Sequence, residues 1–209
     1  MMEQREISKA VINRLPRYYR YLGNLMDSGV ERISSGELSR IMGVTASQIR
    51  QDLNHFGGFG QQGYGYNVQY LHGEIAKILG LDRDYDTIVI GAGRLGQAIS
   101  NYVGFRNRGF RIHAVFDRNP GKYKDLINSD AKLYSTDELA DYLKEHHVDI
   151  AAVTVPSEAA KVIVPVLVKG GVKGIWNFAH TDLDVPDDVQ VQSVHLSESL
   201  MQLSYKINH

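Results

Sequence analysis

No cysteine occurs among the 209 residues. Disulfides, thiolate nucleophiles and cysteine-ligated zinc are therefore excluded together, and any redox sensitivity has to come from a bound cofactor. No apolar run approaches the roughly 20 residues that a membrane span requires. The start, MMEQREISKAV, lacks the basic-then-apolar layout of a secretory leader, which predicts a cytoplasmic protein with no membrane partner. Metal-binding spacing of the H-x-x-x-H kind is missing, as are a G-x-S-x-G elbow and a Walker A loop. What remains is an ordinary globular balance, 43% apolar and 22% charged.

The net charge of −1 says little, but its distribution says more. Residues 1–80 hold nine Lys and Arg against seven acids, while residues 81–209 hold fourteen against seventeen. From Arg5 onward, Arg5, Lys9, Arg14, Arg17 and Arg20 are opposed only by Glu6 before Asp27, with Glu3 just ahead of them. That is the sign expected of a phosphate-binding segment, although a solvated helix face gives the same pattern.

Positions 8–28 read as a helix with Ile12, Leu15, Tyr19, Leu22 and Met26 on one stripe, and Pro16 is expected to kink or break it. Ser34 and Glu37 stand in capping-box spacing ahead of a short helix that Gly43 ends. Thr45 and Gln48 suggest a second box, opening a helix to about Phe56. Two short helices joined by a glycine-containing turn form a helix-turn-helix outline. GGFGQQGYGY at 57–66 then suits a β-hairpin wing, and a helix over 68–79 closes a first domain, residues 1–80.

After a polar linker, LDRDYD, the pattern changes. Strand-like TIVIGA, RIHAVF, IAAVTV and VKGIWNF alternate with helix-like stretches at 94–105, 120–129, 136–146 and 157–169. This predicts an α/β fold, a Rossmann-type doubly wound parallel sheet over residues 81–195. A last strand at 189–194 precedes a terminal helix, 196–209, whose stripe is Leu196, Leu200, Leu203 and Ile207.

Gly91-x-Gly93-Arg94-Leu95-Gly96 follows a buried strand and opens a helix, the context that the dinucleotide fingerprint requires. The glycines permit a tight turn, close approach to a pyrophosphate, and helix–strand packing. Asp117 ends the next strand, where a carboxylate accepts hydrogen bonds from the adenine ribose and repels a 2′-phosphate. NAD, as NADH and NAD⁺, is therefore expected over NADP. Arg118 beside it is the residue type that accommodates a 2′-phosphate, and a simple helix-capping role for Asp117 stays open. Thr154, Val155 and Pro156, with Asn177 and Phe178, end two later strands and are candidate lining residues for the nicotinamide half. No catalytic residues stand out. His180 and His195 are possible acid–base groups, but a dehydrogenase ordinarily brings a second domain for its substrate.

Four stretches together resemble the Rex family of redox-sensing transcriptional repressors: RLPRYYRYL at 14–22, QIRQDLNHFGGFGQQGYGYNV at 48–68, VIGAGRLGQA at 89–98 and TVPSEAAK at 154–161. The second is the most specific, since a generic helix-turn-helix does not call for it. The resemblance spans essentially the whole chain. It implies a homodimeric repressor that binds an A·T-rich inverted-repeat operator in double-stranded DNA and is released by NADH. It also implies that Thr45, Ser47, Gln48, Arg50 and Gln51 belong to a recognition helix for the major groove. Tyr64 and Gly65 fall at a wing tip near the minor groove, and Lys9, Arg14 and Arg17 at phosphates. Tyr102 matches a family tyrosine near the nicotinamide, and the terminal helix matches an element exchanged between subunits. One departure stands out, because His195 occupies a place where the family carries an acid. The alternative to all this is a small NAD-dependent oxidoreductase with a helical appendage.

Overall fold

The computed structural model describes residues 8–54, 60–61, 64–127 and 130–209. The chain divides into two compact units, Met1–Arg83 and Asp84–His209.

The first unit opens with helix α1 (Lys9–Asp27). It buries Val11, Leu15, Tyr18 and Leu22, one residue round from the stripe read from the sequence, so that Ile12 and Met26 are exposed. Pro16 lies inside α1 without breaking it. The proline cannot donate to the carbonyl of Ile12, but Ile12 is on the outer side, where water can take that acceptor. Strand β1 (Arg32–Ile33) leads to α2 (Ser35–Met42), whose Ser34–Glu37 capping box is formed in both directions. Gly43 ends α2 in the left-handed region at φ 67°. Helix α3 (Ala46–Asn54) follows, then β2 (Gly60–Gln61), β3 (Gly65–Asn67) and α4 (Val68–Ile78). The remainder of the expected wing and the stretch around Phe56 lie outside the described residues.

The strands form an antiparallel sheet in the order β1-β3-β2, the wing of a winged helix. Gly65 is required there, because at φ 70° a Cβ would stand 2.6 Å from the Ile33 carbonyl. Leu15, Tyr18, Leu22, Leu38, Ile49, Leu53, Leu71 and Ile75 fill the core between the helices and this sheet.

The second unit is a six-stranded sheet, parallel throughout: β4 (Tyr85–Ile90), β5 (Phe110–Asp117), β6 (Lys132–Ser135), β7 (Ile150–Val153), β8 (Gly174–Asn177) and β9 (Gln190–Ser193). Their order, β6-β5-β4-β7-β8-β9, is that of a Rossmann sheet and reverses direction at β4. Helix α5 (Arg94–Ser100) connects β4 to β5, α6 (Leu139–Glu145) connects β6 to β7, and α7 (Ser157–Lys169) connects β7 to β8. Two apolar clusters lie on opposite faces of the sheet, one centred on Ile88, Phe116 and Leu167, the other on Val89, Val115 and Ile99.

Three expectations need correction. Strand β6 was not apparent in the sequence. Of the stretch 120–129, the described residues 120–127 form a 3₁₀ turn at Pro120–Lys122 followed by turns as far as Leu126, in place of a helix. Asn119-Pro120-Gly121 is turn chemistry, while Tyr123 and Ile127 supply apolar cover from this crossover and Leu133 adds to it from β6. The helix expected at 94–105 stops at Ser100, and a turn and a 3₁₀ segment at Arg106–Arg108 follow.

Helix α8 (Leu196–Asn208) ends the chain and buries none of its residues. Leu196, Leu200, Met201, Leu203, Tyr205 and Ile207 are all more than half exposed. The stripe does not cover this chain's own sheet.

Candidate functional site

The reversal at β4 leaves a crevice at the carboxyl ends of β4 and β7, and the fingerprint stands in it. Each glycine has its own reason. Gly91 has φ 100°, and a Cβ there would lie 2.9 Å from Val155 Cγ1 and 3.0 Å from Thr154 Oγ1. A Cβ on Gly96 would stand 1.8 Å from the Gly91 carbonyl oxygen, which no side chain can do. Gly93, the N-cap of α5, differs, since a Cβ there meets nothing within 4 Å. The helix start is open above Gly93, as a pyrophosphate over its N–H groups requires.

The loop is held from several sides. Thr154 Oγ1 donates to the carbonyls of Ile90 (2.9 Å) and Gly91 (3.0 Å). Gln97 Nε2 donates to the Ala92 carbonyl at 2.7 Å. Asp117 Oδ2 accepts from the Ala92 N–H at 2.8 Å, and Oδ1 from the Asn119 N–H at 2.9 Å. Asp117 thus ties the fingerprint loop to the end of β5 and caps the following turn as well. Gln97 was missed from the sequence, where a helical glutamine carries no special signal.

The remaining candidates separate. Leu95 packs into the core under the loop, and Arg94 and Arg118 are exposed. Val155 is half-buried and Pro156, the N-cap of α7, is exposed. Phe178 is half-buried, with its ring 4.6 Å from that of Trp176. Asn177, expected as a lining residue, has a structural task. It is completely buried, donating to the Thr181 carbonyl and Ser193 Oγ and accepting from the Ala179 N–H. Tyr102 is half-exposed beyond the carboxyl end of α5. With Phe105, Ile112 and His113 it lines a cavity of about 390 Å³ at the start of β5, the opposite end of the sheet from the fingerprint. His180 and His195 come together, with ring centroids 5.7 Å apart and planes 18° from parallel. Among the described residues no three His, Asp or Glu side chains are grouped to hold a metal ion, and no helix is long and apolar enough to cross a membrane.

In the first unit the second capping box is half made. Thr45 Oγ1 accepts from the Gln48 N–H at 3.2 Å, but the Gln48 side chain turns to Asp52 instead of back to Thr45. Arg50 donates to Ser35 Oγ at 2.9 Å, and Ser47 and Gln51 are exposed on the same helix. Arg17 donates to the Met42 carbonyl at 2.7 Å. Tyr64 is exposed and Gly65 begins β3. Lys9 opens α1; its side chain lies outside the described residues.

Arg14 is committed to Asp52 through two bonds of 2.7 Å, Nε to Oδ2 and Nη2 to Oδ1. Tyr18 Oη donates to Oδ2 at 2.9 Å and Gln48 Nε2 to Oδ1 at 2.8 Å. Burial pushes the Asp52 carboxyl pKa up, but the bonds from Arg14, Gln48 and Tyr18 and the Arg14 charge outweigh it, so it lies below the ordinary carboxylate value. Burial and the Asp52 bond raise the Tyr18 hydroxyl. Asp52 was not singled out from the sequence, although a signal was present. It shares the core stripe of α3 with Ile49 and Leu53, and a charge at such a position requires partners.

A winged helix joined in one chain to a dinucleotide-type crevice defines the class of nucleotide-responsive DNA-binding regulators. Residues 6–54 match the family described as "Putative DNA-binding protein N-terminus", and residues 82–181 match the CoA binding domain family. The redox-sensing transcriptional repressor Rex of Clostridioides difficile (strain 630) is 56% identical over 205 residues, covering 98% of this chain and 97% of its own. Among solved structures, the protein RSP in complex with β-NAD⁺ and operator DNA is similar with a TM-score of 0.90 and 52% identity, over 98% of this chain and 94% of that one. RSP in complex with β-NADH gives 0.88 and 48%, over 98% and 95%. The chain belongs to the Rex family of redox-sensing transcriptional repressors.

Proposed function

We propose that this protein is a homodimeric repressor that holds an inverted-repeat operator in its NAD⁺-bound or apo form and lets go when NADH binds. The observation that carries this reading is the joining of an α3-based reading head to a built dinucleotide crevice, in a fold shared over its full length with RSP, which was solved with β-NAD⁺ and operator DNA and with β-NADH.

In this reading Gly93 receives the pyrophosphate, with Arg94 alongside, and Asp117 accepts from the adenine ribose through lone pairs that the Ala92 and Asn119 N–H groups leave open. Thr154, Val155, Pro156 and Phe178 border the nicotinamide half. Ser47, Gln48, Arg50 and Gln51 face the bases, with Thr45 at the helix start. Tyr64 and Gly65 bring the wing to an A·T-rich minor groove, and Lys9 and Arg17 face phosphates. Arg14 acts chiefly through Asp52.

The bare stripe of α8 supports a dimer in which each copy covers the other's terminal helix. Tyr102 then works at the junction between copies, which is consistent with its exposure and its distance from the fingerprint of its own chain. The nucleotide is a signal and not a reagent, and the protein acts in the cytoplasm, where the chromosome lies.

The test is a fluorescence-anisotropy titration of an A·T-rich palindromic duplex at fixed salt, first with saturating NAD⁺ and then with NADH. Tight binding that NADH abolishes is expected. Binding indifferent to both nucleotides contradicts the reading, and NADH turnover with carbonyl substrates favours an oxidoreductase.

A further inference from the structure

The carboxylate of Asp52 is completely buried, and it is saturated. Two carboxylate oxygens offer about four lone-pair positions. All four are taken, Oδ1 by Arg14 Nη2 and Gln48 Nε2, and Oδ2 by Arg14 Nε and Tyr18 Oη. Burying such an ion pair is expensive, and apolar side chains of the same volume commonly stabilise a core at least as well. Stability alone therefore gives a weak reason for this arrangement. What the arrangement does supply is orientation. Three of the four bonds come from α1 and anchor the carboxylate, and the fourth takes hold of a side chain on the reading helix itself.

Gln48 is the third residue of α3, in the N-terminal part of the helix that a helix-turn-helix presents to base edges. Its amide could in principle present either end. Here the nitrogen is drawn to Asp52 and the oxygen accepts no hydrogen bond among the described residues. We propose that Asp52 is a positioning residue for base readout, holding Gln48 by its nitrogen so that its carbonyl oxygen is the group offered to the major groove. An acceptor held this way selects a base carrying an amino group at its major-groove edge, adenine N6 or cytosine N4. This inference rests on reading α3 as the recognition helix.

The experiment titrates the full-length Asp52→Asn, Gln48→Ala and Arg50→Ala variants and the Asp52→Asn/Gln48→Ala double variant. The probes are a tight-binding duplex selected from a random pool and each of its single-base-pair variants, at fixed salt. NADH affinity is measured alongside as a check on the second unit. Gln48→Ala should erase the preference for an amino-bearing base at one position of each half-site, by at least roughly fivefold. Asp52→Asn should erase the same preference, because its amide N–H groups confront the donors that the carboxylate accepted. Preferences elsewhere and NADH affinity should hold, and the double variant should do no more than Gln48→Ala.

Equal weakening of every duplex by Asp52→Asn, which is what a scaffold role gives, overturns the proposal. So does a Gln48→Ala protein that keeps every preference. If Arg50→Ala then still shifts one, only this proposal falls; if it shifts none, the reading of α3 falls too. Tyr18→Phe is run in parallel, since it removes a single bond to Asp52 and guards against a variant that does not fold. It should relax the same base pair by a smaller factor, and a loss spread over all sequences contradicts the proposal.

Discussion

The two units build their sites from different parts of the chain. In the second unit the site is mostly backbone: a positive-φ glycine, two glycines that make room, and N–H groups at the start of α5. Side chains such as Thr154, Gln97 and Asp117 hold that backbone in place. In the first unit the site is mostly side chain, and one buried carboxylate joins α1 to Gln48 of α3. A backbone site fails when an atom is added, and a side-chain site fails when one is removed.

The largest effect should therefore come from adding one methyl group. Gly96→Ala places a Cβ on the Gly91 carbonyl, so the loop and α5 must separate and NAD(H) binding should be lost, together with much of the second unit's thermal stability. Gly93→Ala is the contrasting control, since its Cβ meets open space. That variant should fold normally and bind nucleotide poorly, as separate melting and NADH titrations would reveal. Equal behaviour of the two variants would erase the distinction drawn between those glycines.

Removing atoms in the first unit comes next. Asp52→Ala leaves Arg14 and Tyr18 without their acceptor and should destabilise that unit by about 3 kcal/mol, the low end for a broken buried pair because Arg14 is partly exposed. The contribution has a definite pH sign. The folded-state pKa of Asp52 is depressed, so its stabilisation is present above the unfolded value near 4 and is lost as pH falls through the lower folded value. Acid titration of the melting temperature should show a loss below about pH 4 in the parent that is reduced in Asp52→Ala. A smaller change is expected from Asp117→Ala. Losing a charged acceptor should weaken NAD(H) by on the order of tenfold and narrow the preference over NADP(H). Unchanged selectivity in competition titrations would leave Asp117 as a loop tie only.

The same difference explains how much could be read in advance. Glycine spacing is periodic and has few alternative explanations, so Gly91, Gly93, Gly96 and the parallel sheet around them were legible. The limits of α7 were too, because polar Ser157 and Glu158 open it and Lys169 and two glycines close it around the apolar run 162–168. Strand β6 was not, being four residues with no buried position. Nor was the crossover before it, where the spacing of Tyr123, Leu126 and Ile127 imitates a helix while the described residues form turns. On α1 the choice between Tyr18 and Tyr19 as the inward residue depended on what α3 presents to it. That partner is Asp52, reached by Tyr18 across 34 positions of sequence. Long-range polar bonds of this kind leave only a charge on an apolar stripe as their trace.

The central claim is that the crevice and the reading helix belong to one switch, and linkage makes this testable. If NADH lowers operator affinity, operator must lower NADH affinity by the same factor, commonly ~1–3 kcal/mol. The decisive measurement is the NADH dissociation constant of the free protein and of the protein saturated with operator, in the same buffer and salt. The account predicts weaker NADH binding on the operator, by the factor that NADH imposes on DNA affinity. Equal dissociation constants would show that the two units share a chain without sharing a switch.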